Sequence, residues 1–203
     1  LPQKPYHQEP PTQREHAMAT EETSENAAPS TPAAYPPCPD GESGMMTLPQ
    51  IVAYPEQPYI AIKEQVSLPF DDAVPEILER LFALVKEYKL KEVGPVLFKH
   101  NVVQMPDLEM EFGVPVDRVI KNPQGFESGI LPAGNYAQLT YVGPYSDLIT
   151  VNGVLIGWAK HSGVAFDSKL QADGEWFANR LEVYHTSPGE EPMRTTVTIK
   201  VSD

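Results

Sequence analysis

The sequence has little of what several common classes of protein require. Its single cysteine, Cys38, excludes an intramolecular disulfide and fits a reducing compartment. No run approaches the roughly 20 apolar residues that a membrane helix needs, and no charged-then-apolar signal sequence opens the chain. These absences predict a cytoplasmic protein that does not insert into a membrane.

Positive charge is also scarce. Fifteen Lys and Arg residues stand against 28 Asp and Glu residues, which gives a formal net charge of −13. A field of that sign repels the phosphate backbone, so we expect no direct binding to nucleic acid. A cationic ligand would instead be attracted.

The motifs of metal, nucleotide and nucleophile chemistry are missing. The five histidines are scattered, and a single cysteine offers little to a metal, so we expect no metal and no cofactor. The chain has neither a phosphate-binding Gly-x-x-x-x-Gly-Lys-Ser/Thr loop nor a Gly-x-Ser-x-Gly elbow. A nucleotide site and a serine or cysteine hydrolase are therefore not expected.

The composition changes along the chain. Residues 1–45 are rich in Pro, Glu, Thr, Ser and Ala, and such a stretch buries too little apolar surface to offset its chain entropy. We expect a disordered native tail or an artificial extension, with Met45 or Met46 as the natural start in the second case. Residues 46–203 are the expected folded domain, whose first credible strand follows Gln57.

The folded part carries a pattern of elements that occurs twice. The first unit has a strand at 59–66, a helix with Asp71 or Asp72 as N-cap, and strands at 96–103 and 108–116. In the last strand, apolar Leu108, Met110, Phe112, Val114 and Val116 alternate with Glu109, Glu111 and Gly113. That alternation predicts one apolar and one partly acidic face.

The same order recurs in the second half. A strand at 135–142 precedes a helix with Ser146 as N-cap and Gly163 at its end, and strands at 180–185 and 194–201 follow. Tyr136 follows Tyr59 by 77 positions (136 − 59). We predict an α+β fold built from a tandem β-α-β-β repeat, with antiparallel pairing because two strands follow each helix.

One carboxylate stands out by its setting. On the strand at 180–185, Leu181 and Val183 share one face, while Glu182 and Tyr184 share the other. If Leu181 and Val183 pack under a helix, Glu182 and Tyr184 project together from the opposite face, where a carboxylate beside an aromatic ring can bind an organic cation. Half-exposed strand residues without a function explain the same pattern.

Five segments in order resemble the signature of the GyrI-like effector-binding family. They are residues 131–137 (Leu-Pro-Ala-Gly-Asn-Tyr-Ala), residues 141–148 (Tyr-Val-Gly-Pro-Tyr-Ser-Asp-Leu), Trp158, residues 181–184 with Pro188, and residues 194–199 (Arg-Thr-Thr-Val-Thr-Ile). The resemblance implies two β-α-β-β units about a pseudo-twofold axis, two packed helices and a central ligand cleft. It makes Glu182 the pocket carboxylate. The residues we expect around it are Tyr184, Tyr141, Trp176, Phe112 and Met110, the last two as a wall supplied by the first half.

The resemblance leaves three functions open. The first is a sensor or sequestering protein for bulky small molecules, apolar or cationic. The second is a hydrolase that opens cyclopropane rings of alkylating natural products, with Glu182 as general base of raised pKa and Tyr184 or Tyr141 orienting the substrate. The third is a protein-interaction module in the manner of a DNA gyrase inhibitor. The family's regulators carry a helix-turn-helix domain, whose periodicity and basic charge residues 1–45 lack.

Overall fold

A computed structural model describes residues 44–187 and 189–202, which form two α-helices and one sheet of eleven strands. The helices are α1 (Val74–Glu87) and α2 (Leu148–His161). The strands are β1 (Met45–Met46), β2 (Gln50–Tyr54), β3 (Gln57–Ser67), β4 (Leu97–Gln104), β5 (Asp107–Pro115), β6 (Glu127–Leu131), β7 (Gly134–Val142), β8 (Ser168–Gln171), β9 (Gly174–Phe177), β10 (Arg180–Tyr184) and β11 (Arg194–Lys200). Residues 1–43 of the expected tail lie outside the described residues.

The two predicted units are both present. Strand β3, helix α1 and strands β4 and β5 form the first, and β7, α2, β10 and β11 form the second. Within each unit the strands pair antiparallel, and β4 pairs with β10 so that Phe98 lies opposite Glu182. The central strand order is therefore β3-β5-β4-β10-β11-β7, which is symmetric about the β4–β10 seam. The predicted α+β fold is confirmed.

Two short strands extend this symmetry and were not predicted. Strands β2 and β6 begin 77 positions apart (127 − 50), the offset that also separates β3 from β7. Each pairs with the first strand of the other unit, β2 with β7 and β6 with β3. Each repeated unit is thus preceded by a short strand that pairs with the first strand of the other unit. Regular structure therefore begins before Gln57 rather than after it.

The helix starts differ from the prediction. A turn of 3-10 helix precedes each helix, at Asp71–Ala73 before α1 and at Tyr145–Asp147 before α2. No side chain caps either helix, so the N-cap roles expected for Asp71, Asp72 and Ser146 are wrong. The tighter turn hydrogen-bonds the first backbone groups itself, which leaves these side chains no capping role.

Both helices pack on the same face of the sheet, but away from its centre. Helix α1 buries Ile77, Leu81 and Val85 against β3 and β5, while α2 buries Val151 and Leu155 against β7 and β11. The central strands β4 and β10 lie between them, so a groove runs along the β4–β10 seam. Neither described helix is long and apolar enough to cross a membrane.

Candidate functional site

The groove between the two helices is a cleft of about 1510 Å³. Its floor consists of residues from β4 and β10, one wall comes from α1 and the segment before it, and the other comes from α2 and the turn before it. The volume exceeds the roughly 300–1,000 Å³ of a typical small-molecule pocket. The cleft therefore has room for a bulky ligand.

The helix walls are apolar where they face the cleft. Phe82 of α1 is 37% exposed, and Ile149 and Ile156 of α2 are 60% and 38% exposed. Several large apolar side chains exposed together inside a concave site are typical of a ligand-binding groove. The open apolar flank of α2 thus belongs to the cleft.

Four aromatic rings form a continuous wall beside the floor. Tyr145 and Tyr184 lie edge to face with centroids 5.3 Å apart, Tyr184 and Phe98 are 4.5 Å apart, and Phe98 and Phe70 are 6.5 Å apart. All four residues line the cleft. Aromatic surfaces of this kind bind flat apolar groups and, through their electron-rich faces, cations.

A buried carboxylate lies at the floor, against this wall. Glu182 is 6% exposed and accepts hydrogen bonds from the Tyr184 hydroxyl at 2.7 Å and from Nδ2 of Asn152 at 2.8 Å. Asn152 comes from the inner face of α2 and is itself fixed by the Leu148 carbonyl. The carboxylate is therefore oriented before any ligand arrives.

Two basic side chains complete the polar cluster. Nε2 of His100 lies 3.6 Å from Oε1 of Glu182, which is within ion-pair range but too long for a hydrogen bond. Arg180 donates from Nη2 to Oδ1 of Asn152 at 2.9 Å and lies over the ring of Phe177. The guanidinium of Arg180 is thus linked to Glu182 by two hydrogen bonds, one to and one from the side-chain amide of Asn152.

These contacts keep Glu182 ionised. Burial would raise the pKa of Glu182, but the imidazole of His100 and the hydrogen bonds from Tyr184 and Asn152 outweigh burial and lower it to about 2. Burial and the adjacent carboxylate raise the pKa of Tyr184, so its hydroxyl remains a donor. The expectation that aromatic surroundings raise the pKa of Glu182 is wrong, because it ignored these donors.

The structure brings Glu182 and Tyr184 together on one face of β10, but not the face expected. Leu181 packs in a small cluster on the helix-free side of the sheet, with Val183 against it. Glu182 and Tyr184 therefore lie under the helices, where the cleft is. Glu182 and Tyr184 share one face of β10, as the alternation predicts. However, it is Leu181 and Val183, and not Glu182 and Tyr184, that lie on the face without helices.

The other four expected pocket residues do not line this cleft. Phe112 and Met110 are fully buried core residues, and Phe112 supports the aromatic wall from behind, 4.6 Å from Phe98. Tyr141 lies in the core under α2 and donates to Asp147. Trp176 lies on the β8–β9 hairpin, 38% exposed, and donates to Asp173. The first half supplies its wall through Phe70 and Phe98 instead.

Sequence reasoning missed the groups that hold Glu182. Asn152 carried a usable signal, because it is a polar residue among the apolar positions Leu148, Val151 and Leu155 on the buried side of α2. His100 lies beside Glu182 only because β4 and β10 pair, and Arg180 is linked to Glu182 only through Asn152 of α2, which no local pattern reveals. Within the described residues, no group of three or more His, Cys, Asp or Glu side chains could hold a metal ion.

Comparison with known proteins gives both a family and similar folds. The family model of the GyrI-like small molecule binding domain matches residues 48–202. A cryo-EM structure of an EcmrR–DNA complex is similar at a TM-score of 0.61 and 15% identity, covering 78% of this chain and 58% of that one. This chain therefore spans little more than half of the EcmrR chain.

Two further structures resemble the described domain. The EcmrR C-terminal domain has a TM-score of 0.59 and 16% identity, with coverage of 76% of this chain and 97% of that one. SAV2435 bound to tetraphenylphosphonium has a TM-score of 0.51 and 10% identity, covering 77% and 94%. At these identities the likeness establishes the fold alone. Among curated protein sequences, none matches this chain.

Proposed function

This chain belongs to the GyrI-like small molecule binding domain family, and on that premise we propose that its cleft binds bulky, largely apolar molecules, lipophilic cations included. The observation that carries the proposal is an ionised carboxylate, Glu182, buried at the floor of an apolar and aromatic cleft. A charge removed from water is tolerated when it is paired, and a ligand cation over the neighbouring rings adds a partner.

The charges around the cleft support a cationic ligand. Its lining includes the carboxylates of Asp71, Glu92, Glu175 and Glu182 and one guanidinium, that of Arg180. Formal negative charge therefore exceeds positive charge along the walls, in the same sense as the whole chain. SAV2435, which has the same fold, was solved with tetraphenylphosphonium, and this cation is a suitable probe.

We propose that the protein senses or sequesters such molecules in the cytoplasm. The excess of acidic residues and the lone Cys38 favour that role over nucleic-acid binding or secretion. Cyclopropane hydrolysis with Glu182 as general base is less well supported, because a carboxylate with a pKa lowered to about 2 is a weak base at neutral pH. The role of a partner-inhibiting module rests on resemblance alone.

Calorimetric titration with tetraphenylphosphonium tests the proposal. Glu182→Gln removes the charge but keeps the shape, and we expect it to weaken binding by about tenfold or more. Glu87→Gln makes the same chemical change on the exposed outer side of α1, away from the cleft, and should bind as the unaltered protein does. Equal affinity in all three proteins would remove the proposed role of Glu182, and no binding by the unaltered protein would refute the proposal.

A further inference from the structure

Arg180 lies at the floor of the cleft, and most of its hydrogen-bond donors are unused. The residue is 8% exposed and lines the cleft from β10. A guanidinium carries five N–H groups, but the described residues accept a hydrogen bond from Nη2 alone, through Oδ1 of Asn152. Nε is buried and has no partner among the described residues. Buried polar groups without partners are rare in folded proteins, so each one calls for an explanation.

The unpaired buried nitrogens of the described side chains lie together at this floor. Besides Nε of Arg180, they are the two ring nitrogens of His100 on β4, which also lines the cleft. The other unpaired buried side-chain atoms in the described part of the chain are oxygens of Asn179, Thr195 and Thr198, and none of these residues lines the cleft. An imidazole ring always carries at least one N–H. The floor therefore holds unused donors from both central strands.

The neighbours of Arg180 hold the guanidinium in place but use little of its donor capacity. Cζ of Arg180 lies over the ring of Phe177, 5.0 Å from its centroid. The carboxylate of Glu175, on the adjoining strand β9, is engaged by the hydroxyl of Ser168 at 2.7 Å. The planar group is thus oriented by one ring and by its hydrogen bond to Asn152. Its remaining N–H groups are left for an acceptor that the described residues do not supply.

We infer that Arg180 donates to a hydrogen-bond acceptor of the ligand, so that the cleft selects bulky cations that also carry a carbonyl or carboxylate oxygen. The inference rests on the proposed function and adds a second polar contact to the one with Glu182. Arg180 and Glu182 are two positions apart on the same face of β10, roughly 6.6 Å along the strand. The ligand presents its positive charge to Glu182 and its oxygen to Arg180. Tetraphenylphosphonium has no such oxygen and makes only the first contact.

The chemistry of arginine suits an oxygen acceptor on the ligand. A guanidinium stays charged at physiological pH, so a hydrogen bond from it to a carbonyl is charge-assisted and stronger than one between neutral groups. A ligand without an acceptor leaves the buried donor of Arg180 unpaired, which costs free energy. Sites that hydrogen-bond one group of a ligand therefore reject analogues that lack this group.

Two matched dyes isolate the contact. Tetramethylrosamine and tetramethylrhodamine methyl ester share one cationic ring system, and only the second carries an ester carbonyl. Fluorescence titration of the full chain should show about tenfold tighter binding of the ester. In Arg180→Met, which removes the donors but keeps a long side chain, the ratio of the two affinities should fall to about one. The affinity for tetramethylrosamine should not fall, because the lost guanidinium repels a cation.

Arg80→Met is the matched control. Arg80 pairs with Glu64 at 2.8 Å and does not line the cleft, so this variant should keep the full preference for the ester. Equal affinity of the unaltered protein for the two dyes would overturn the inference. So would a preference that survives in Arg180→Met, including the case in which both dyes bind more weakly, because Arg180 would then support only the shape of the cleft. Failure of both dyes to bind the unaltered protein would instead refute the proposed function.

A crystal structure of the unaltered protein with the methyl ester avoids the risk that Arg180→Met does not fold. The ester carbonyl oxygen should lie about 2.7–3.2 Å from a guanidinium nitrogen of Arg180. A bound dye whose ester points out of the cleft or toward α1 would overturn the inference while leaving the cleft as the ligand site.

Discussion

Two buried glutamates lie on opposite faces of the same sheet with closely similar partners. Glu182 accepts from Tyr184 at 2.7 Å and from Asn152 at 2.8 Å, and Glu111 accepts from Tyr59 and from Asn101, each at 2.6 Å. Their contacts lower the pKa of both carboxyl groups despite burial, which alone would raise it. A buried, hydrogen-bonded carboxylate is therefore not in itself a ligand site.

The two sites differ in their cation and in what lies above them. Glu111 pairs directly with Lys99 at 3.1 Å on the helix-free face of the sheet, and it does not line the cleft. Glu182 faces the cleft, and its nearest basic group is His100, at a longer distance. Glu111 is thus paired directly with a lysine on the closed side of the sheet, whereas Glu182 faces an accessible space.

The largest expected effect is a loss of stability in acid, which both buried carboxylates should contribute to. The folded pKa of Glu182, about 2, lies below its ordinary value of 4.5, so its contribution is present above pH 4.5 and lost as pH falls toward 2. That shift corresponds to about 3 kcal/mol of unfolding free energy. Urea unfolding at pH 5, 4, 3 and 2 should show a shallower acid loss in Glu182→Gln than in the unaltered protein.

The control for the acid experiment is Glu87→Gln, at an exposed position of α1, which should follow the curve of the unaltered protein. Glu111→Gln should also flatten the curve, because the pKa of Glu111 is lowered too. An unchanged slope in Glu182→Gln would mean that folding does not lower the pKa of Glu182.

A smaller effect comes from the two tyrosines. Tyr184→Phe and Tyr59→Phe each remove one hydrogen bond to a buried carboxylate, which should cost about 2 kcal/mol of unfolding free energy at pH 7. Their effects on binding should differ: Tyr184→Phe frees Oε2 of Glu182 and should strengthen binding of tetraphenylphosphonium, whereas Tyr59→Phe should not change it. Equal changes in affinity would erase the distinction between the two faces.

The smallest effect uses two glycines of α2. A Cβ atom added at Gly153 or at Gly157 would meet no atom within 4 Å, but only Gly153 lines the cleft. Gly153→Phe should therefore weaken binding of tetraphenylphosphonium by about tenfold, or 1.4 kcal/mol, whereas Gly157→Phe should bind normally. Both variants should be at least as stable as the unaltered protein, because glycine is unfavourable inside a helix. Equal binding by the two variants would place the ligand elsewhere.

The sequence predicted the elements that have a strong period and missed those that do not. Helix α1 and the long strands follow from regular apolar spacing. Strands β2 and β6 have five residues each and are defined by pairing with the other unit. Strands β8 and β9, of four residues each, form a hairpin that pairs with the end of β4. Such strands owe their existence to tertiary contacts, which a local pattern does not contain.

The site was predictable only in part for the same reason. The resemblance identified Glu182, and the alternation along β10 placed Tyr184 on the same face. Which side of the sheet that face is on depends on where both helices pack. Phe98 and Phe70 were overlooked because nothing in the sequence separates an aromatic core residue such as Phe112 from one that lines a cleft. His100 joins Glu182 only through the β4–β10 seam.

A crystal structure of the complex with tetraphenylphosphonium is the most direct test of the central claim that the cleft is the ligand site. We predict that the cation lies between α1 and α2, with its rings against Tyr184 and Phe98 and its charge facing Glu182. The same cation bound on the helix-free face beside Glu111, with the cleft empty, would contradict the account.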